Sequence, residues 1–140
     1  MSKIAVVFWS GTGNTEEMAN AVVDGAKEAG AEVSLIPCAD FGPDRVEEFD
    51  AIAFGCPAMG AEVLEEDEFE PMFSACEGKL SGKKIALFGS YGWGDGEWMR
   101  SWEDTCDSAG ANRVCDSVMC MEAPDDEGIE ACKALGKALV

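Results

Sequence analysis

The chain has 140 residues, the length of one domain, and 47% of it is apolar, enough to build a core. Its formal net charge is −18, from 28 acidic and 10 basic residues with no histidine. Such a surface repels nucleic acid and anionic membrane and suits partners that present basic patches. No apolar run approaches a membrane span; residues 1–3 lead straight into a strand-like segment, so no signal peptide is read and the expected address is cytoplasmic.

The elements alternate from end to end. Residues 3–9 (KIAVVFW) form an apolar, β-branched run suited to a strand buried on both faces. Residues 14–29 place Met18, Ala19, Val22, Val23, Ala26 and Ala29 on one helical face, and Gly30 ends it. A second strand is expected over 31–36 and a third over 50–55, with a short acidic segment between. Phe69, Met72, Phe73 and Cys76 have helical spacing, and Pro71 suits that helix's first turn. Residues 83–89 make a fourth strand, followed by a glycine-rich loop from 90 to 96. Trp98, Met99, Trp102, Cys106 and Ala109 mark the next helix, residues 112–121 a fifth strand, and 125–139 a last helix with Ile129, Cys132, Leu135 and Leu139 inward.

Strands alternating with helices predict an α/β domain over residues 1–140: a five-stranded parallel sheet with helices on both faces and right-handed crossovers. Ligands of such sheets bind outside the carboxyl ends of the strands, where the winding reverses. The unusual loops, 9–15, 56–64 and 90–97, all lie at that end.

The first of them, Trp9-Ser10-Gly11-Thr12-Gly13-Asn14-Thr15, has two glycines that turn the backbone N–H groups inward and three hydroxyls that add donors. The helix that starts here points its positive end at the same place, which makes a phosphate cradle without lysine or arginine. A G-x-x-x-x-G-K-[ST] loop is absent, and Glu16 stands where the dinucleotide fingerprint needs its third glycine, so one terminal phosphate is the expected guest. The second loop runs Pro57-Ala58-Met59-Gly60-Ala61-Glu62 and the third Ser90-Tyr91-Gly92-Trp93-Gly94. An aromatic between glycines stacks on something, and a thioether packs well on a ring. A flat ring between Trp93 and Met59, with a phosphate tail in the first loop, describes FMN, and the lack of room beside Glu16 argues against FAD.

The seven cysteines (Cys38, Cys56, Cys76, Cys106, Cys115, Cys120 and Cys132) contain no C-x-x-C pair, so no metal centre is expected and the thiols read as small buried hydrophobes.

Residues 9–15, 55–62 and 88–99 closely resemble the short-chain flavodoxins of anaerobic bacteria, and the likeness in length and element order covers the whole chain. The resemblance implies a flavodoxin-like three-layer domain of strand order 2-1-3-4-5 and a low-potential one-electron carrier cycling through oxidised, semiquinone and hydroquinone FMN, not an enzyme. It also implies a monomer whose partners are basic-surfaced redox enzymes. It gives Ser10, Thr12, Asn14 and Thr15 to the phosphate, Met59 to the inner and Trp93 to the outer flavin face, Glu62 to the flavin N3–H, and the backbone near Ser90 and Gly92 to the ribityl chain and pyrimidine edge. The peptide from Gly60 to Ala61 would turn its carbonyl to the flavin N5–H on reduction, in a turn whose positive φ suits glycine. Where relatives often carry asparagine before Pro124, this chain reads Met121-Glu122-Ala123, so that loop is given no role. Glu62, Glu65, Glu66, Asp67, Glu68 and Glu70 on one side of the site, with Asp95 and Glu97 on the other, are expected to form an acidic rim for docking and redox tuning.

The rivals fit less well. A receiver domain needs acids where Trp9-Ser10 and Gly55-Cys56 stand, and Cys106 to Arg113 has the wrong spacing and place for a tyrosine phosphatase loop. A flavin quinone reductase needs a pocket over the flavin that Trp93 and the short loops would close, and Trp93 stacking also argues against a ribonucleotide-reductase activator.

Overall fold

A computed structural model describes residues 2–11, 13–59, 63–92, 94 and 96–140. Its strands are β1 (Lys3–Phe8), β2 (Glu32–Pro37), β3 (Ala51–Gly55), β4 (Lys84–Tyr91), β5 (Asn112–Arg113) and β6 (Val118–Met121). Its helices are α1 (Asn14–Glu28), α2 (Pro43–Val46), α3 (Phe69–Cys76), α4 (Glu97–Ser108) and α5 (Asp126–Ala138). The sheet order is β2-β1-β3-β4-β5, with β6 also on β4, and every pairing is parallel.

The central strands are apolar throughout because both faces are covered, and the pleat sends alternate residues to opposite sides. Ala5, Val7, Ile52, Phe54, Ile85 and Leu87 pack with α3 and α4, while Ile4, Val6, Ala51, Ala53, Ala86 and Phe88 pack with α1 and α5. On the first side the rings meet edge to face: Phe54 on Phe73 at 5.0 Å, and Trp102 on Phe69 and Phe73 at 5.5 and 5.6 Å.

Three expectations need correction. The fifth strand is two pieces, because Arg113 turns aside to bond Asp107 and Glu103 on α4 and the Ser117 hydroxyl donates to Glu103 at 2.6 Å. Ala29 is exposed at the frayed end of α1, and Val23 and Ile129 are only half-buried. The acidic segment after β2 contains a 3₁₀ turn (Cys38–Asp40) and α2, which Pro43 begins at a position where a missing N–H is harmless.

Six of the seven cysteines are buried, Cys115 being the exception, and all are free thiols. Burial pushes Cys38 and Cys76 up to about 11, and Cys106 and Cys132 up to about 12, so these thiols stay protonated and unreactive at neutral pH.

Candidate functional site

The carboxyl ends of β1, β3, β4 and β6 are laced together by backbone bonds. The Trp9 N–H donates to the Gly55 carbonyl at 3.0 Å, Ala58 N–H to Ser90 O at 3.0 Å, and Glu122 N–H to Tyr91 O at 2.7 Å. Between the loops lies an open cavity of about 590 Å³, lined by Trp9, Gly11, Asn14, Pro57, Ala58, Met59, Ser90, Tyr91, Gly92, Glu122 and Ala123. That volume is ordinary for a cofactor, for which pockets run roughly 300–1,000 Å³.

The cavity is chemically divided. At one end Gly11 and Asn14 stand at the start of α1, where the N-cap residue Gly13 takes φ 95°. The Ser10 hydroxyl oxygen accepts the N–H of Gly13 at 3.0 Å and of Glu16 at 3.4 Å. A hydroxyl that accepts two bonds still has its own O–H to donate. At the other end are the ring of Tyr91, which packs on Trp98 at 5.6 Å, and the apolar Pro57, Ala58 and Met59. The Trp98 indole N–H donates to the Cys56 carbonyl at 3.2 Å and so fixes the start of the second loop against α4.

Of the residues expected at the site, nine line this cavity: Trp9, Gly11, Asn14, Pro57, Ala58, Met59, Ser90, Tyr91 and Gly92. Ser10 and Gly13 shape the loop behind it. The Thr15 hydroxyl is buried and bonded to the Ser90 hydroxyl at 2.8 Å, and Gly94 lies on the third loop outside the lining. Thr12, Gly60, Ala61, Glu62 and Trp93 lie outside the described residues. Glu122 and Ala123, given no role from sequence, do line the cavity. Glu122 holds φ 57°, rare for a residue with a side chain; a short acidic loop before a proline gives no sign of that turn.

The expected acidic rim also needs correction at one point. Glu66, Asp67, Glu68, Glu70 and Glu97 are exposed, but Glu65 is buried at 5% exposure. Its carboxylate accepts the N–H groups of Asp67 at 2.8 Å, Glu68 at 2.7 Å and Phe69 at 2.8 Å, so it caps the entry to α3. Burial pushes this carboxyl up, but the N–H groups of Phe69, Glu68 and Asp67 together outweigh it and hold it below the ordinary carboxylate range.

A parallel sheet in this order, with an open cavity at its carboxyl edge, defines a doubly wound α/β protein of the flavodoxin-like class. The flavodoxin family model matches residues 6–136. The flavodoxin of Megasphaera elsdenii is 47% identical over 135 residues, covering 96% of both chains, and that of Clostridium beijerinckii is 45% identical over 134 residues, again 96% of each. The solution structure of two-electron reduced Megasphaera elsdenii flavodoxin superposes with a TM-score of 0.90, covering 97% of each chain at 46% identity. The chain belongs to the flavodoxin family, in the short-chain group found in anaerobes, and is an FMN-dependent electron carrier. No helix among the described residues is long and apolar enough to cross a membrane.

Proposed function

We propose that residues 1–140 act as one domain that holds FMN in the cavity between the three loops, phosphate at the start of α1 and ring between the second and third loops. The observation that carries this placement is the two-ended cavity: Gly11 and Asn14 at the start of α1 at one end, Met59, Pro57 and Tyr91 at the other. When bound, FMN accepts electrons one at a time from one redox partner and yields them to another.

The chain's own residues bind and orient it. The N–H groups at the start of α1 and the remaining O–H of Ser10 would hold the phosphate, with the α1 dipole supplying the positive end that no cation provides. Thr12, Asn14 and Thr15 complete that cradle, and Ser90 and Gly92 would contact the ribityl chain and pyrimidine edge. Met59 would cover the inner ring face and Trp93 the outer, excluding water. The Glu62 carboxylate would accept from N3–H, and the Gly60 carbonyl would accept from N5–H once N5 gains its proton. The exposed carboxylates of Glu66, Asp67, Glu68, Glu70 and Glu97 would dock basic-surfaced redox enzymes. The carrier works as a monomer in the cytoplasm, a reading supported by its free, mostly buried thiols and strong net negative charge.

FMN titration of apoprotein tests the placement. Met59→Ala and Ser10→Ala should each weaken FMN binding by about ten-fold, near 1.4 kcal/mol. Riboflavin should bind wild type and Ser10→Ala alike, because it lacks the phosphate. Unchanged FMN affinity in both variants would place the cofactor elsewhere.

A further inference from the structure

The loop that carries Met59 leaves β3 at Cys56 and returns to α3 at Glu65. Its outgoing end is pinned by Cys56 N–H on Phe88 O at 3.2 Å and Ala58 N–H on Ser90 O at 3.0 Å. Its base is closed by the Glu65 N–H on the Cys56 sulfur at 3.4 Å, and near the tip the Met59 N–H reaches Val63 O at 2.9 Å. The returning end is held by the Glu65 backbone carbonyl, which accepts the Glu70 N–H at 2.8 Å, and by the Glu65 side chain. The Glu65 carboxylate accepts the N–H groups of Asp67, Glu68 and Phe69, and the last of these residues is fully buried in the core. The Phe69 N–H would otherwise be an orphan of the helix start, and the N-cap residue Glu68 supplies no side-chain cap of its own.

From this geometry we propose that Glu65 is a positioning residue for the flavin: it anchors the returning end of the loop to α3 and so keeps the loop that carries Met59 in register with the ring. It rests on the placement of FMN proposed above. A loop fixed at both ends has little freedom left to lose when its tip engages the ring, whereas a loop loose at one end must be ordered each time. The titratable groups around Glu65 are the Cys38 and Cys56 thiols behind it and the carboxylates of Asp67 and Glu68 beside it.

Positioning and plain charge predict opposite results. Removing a negative charge near the flavin eases the addition of an electron, so charge alone predicts raised potentials in Glu65→Gln, as in the exposed neighbour Glu66→Gln, and no change in Glu65→Asp. Positioning predicts that Glu65→Asp, which keeps the charge but shortens the reach, makes the first reduction about ten-fold less favourable, a fall of about 59 mV. It also predicts weaker FMN binding and loss of amide-exchange protection at Asp67, Glu68 and Phe69 in the apoprotein. In Glu65→Gln the first potential should fall too, against the sign of the charge effect. The experiment measures both potentials, FMN dissociation constants and amide exchange for Glu65→Asp, Glu65→Gln, Glu66→Gln and Met59→Ala. If Glu65→Asp folds with wild-type potentials and affinity, or Glu65→Gln merely follows Glu66→Gln, the proposal is overturned. If Met59→Ala and Ser10→Ala both leave FMN affinity unchanged, the placement of FMN fails instead.

Discussion

Thr15 opens α1 with its side chain 1% exposed, and the hydroxyl it shares with Ser90 at 2.8 Å joins the first loop to the third beneath the cavity. A hydroxyl bound in this way stabilises the edge of the sheet before any phosphate arrives. Thr15→Val keeps the shape, removes one partner and leaves the Ser90 hydroxyl buried and unpaired, at a cost of about 1–3 kcal/mol. Urea unfolding of the apoprotein should show that loss in full; an effect seen only with FMN bound would make Thr15 a phosphate contact alone. The Glu65 carboxylate makes a second prediction at this scale. Its folded value lies below the unfolded one, about 4.3, so its contribution is present above that pH and is lost as pH falls through the folded value. Glu65→Gln should therefore cost about 2 kcal/mol at pH 7, as charged hydrogen bonds do, and the gap to wild type should narrow as pH falls below the unfolded value. Stability curves of the two proteins that stay parallel on acidification would refute this.

At the scale of elements, α1 and α5 touch backbone to backbone. A Cβ on Gly136 would overlap the Val22 carbonyl oxygen, and one on Gly25 would overlap the Lys133 carbonyl oxygen. Helix propensity alone makes Gly136→Ala stabilising by about 1 kcal/mol, whereas the close approach makes it destabilising by about 1–3 kcal/mol, the range of overpacked cores. The sign of the shift in the denaturant midpoint decides between them. Gly136 also shows where sequence reading stops. The apolar runs of β1, β3 and β4 and the helical stripe of Met18, Ala19, Val22 and Ala26 state their burial in local spacing, and nine lining residues of the cavity follow from loop composition at the ends of those strands. What spacing does not state is a contact between distant side chains. The break between β5 and β6 depends on Arg113 reaching Glu103 and Asp107, and the apolar Val114 and Cys115 hide it. Glu65 looks like one more acid in an acidic run because its partners are backbone N–H groups, which leave no mark on composition. Glu122 enters the cavity only because its backbone turns at φ 57° after the Tyr91 carbonyl captures its N–H.

Over the whole molecule the charge of −18 sets two tasks against each other. The phosphate of FMN is an anion that must approach a strongly anionic protein, and among the residues lining the cavity the one that carries a formal charge is Glu122, also negative. Local N–H dipoles can hold the phosphate once it arrives, but they act over one helical turn, while the net charge acts over a Debye length of about 10 Å at 0.1 M salt and about 30 Å at 0.01 M. The same long-range field attracts a basic redox partner toward the carboxylates around the site. The two encounters must therefore respond to salt with opposite signs. Raising ionic strength from about 0.01 to 0.3 M should speed association of FMN with the apoprotein. It should slow electron transfer to a basic reductase by ten-fold or more, within the range of electrostatic steering. Stopped-flow flavin fluorescence measures the first rate and flavin absorbance the second. If both rates fell with salt, the field at the cavity would be positive and the cradle would owe its affinity to a cation. If neither moved, the acidic surface would play no part in docking, and exposed apolar groups such as Met121 and Met119 would have to carry the partner instead.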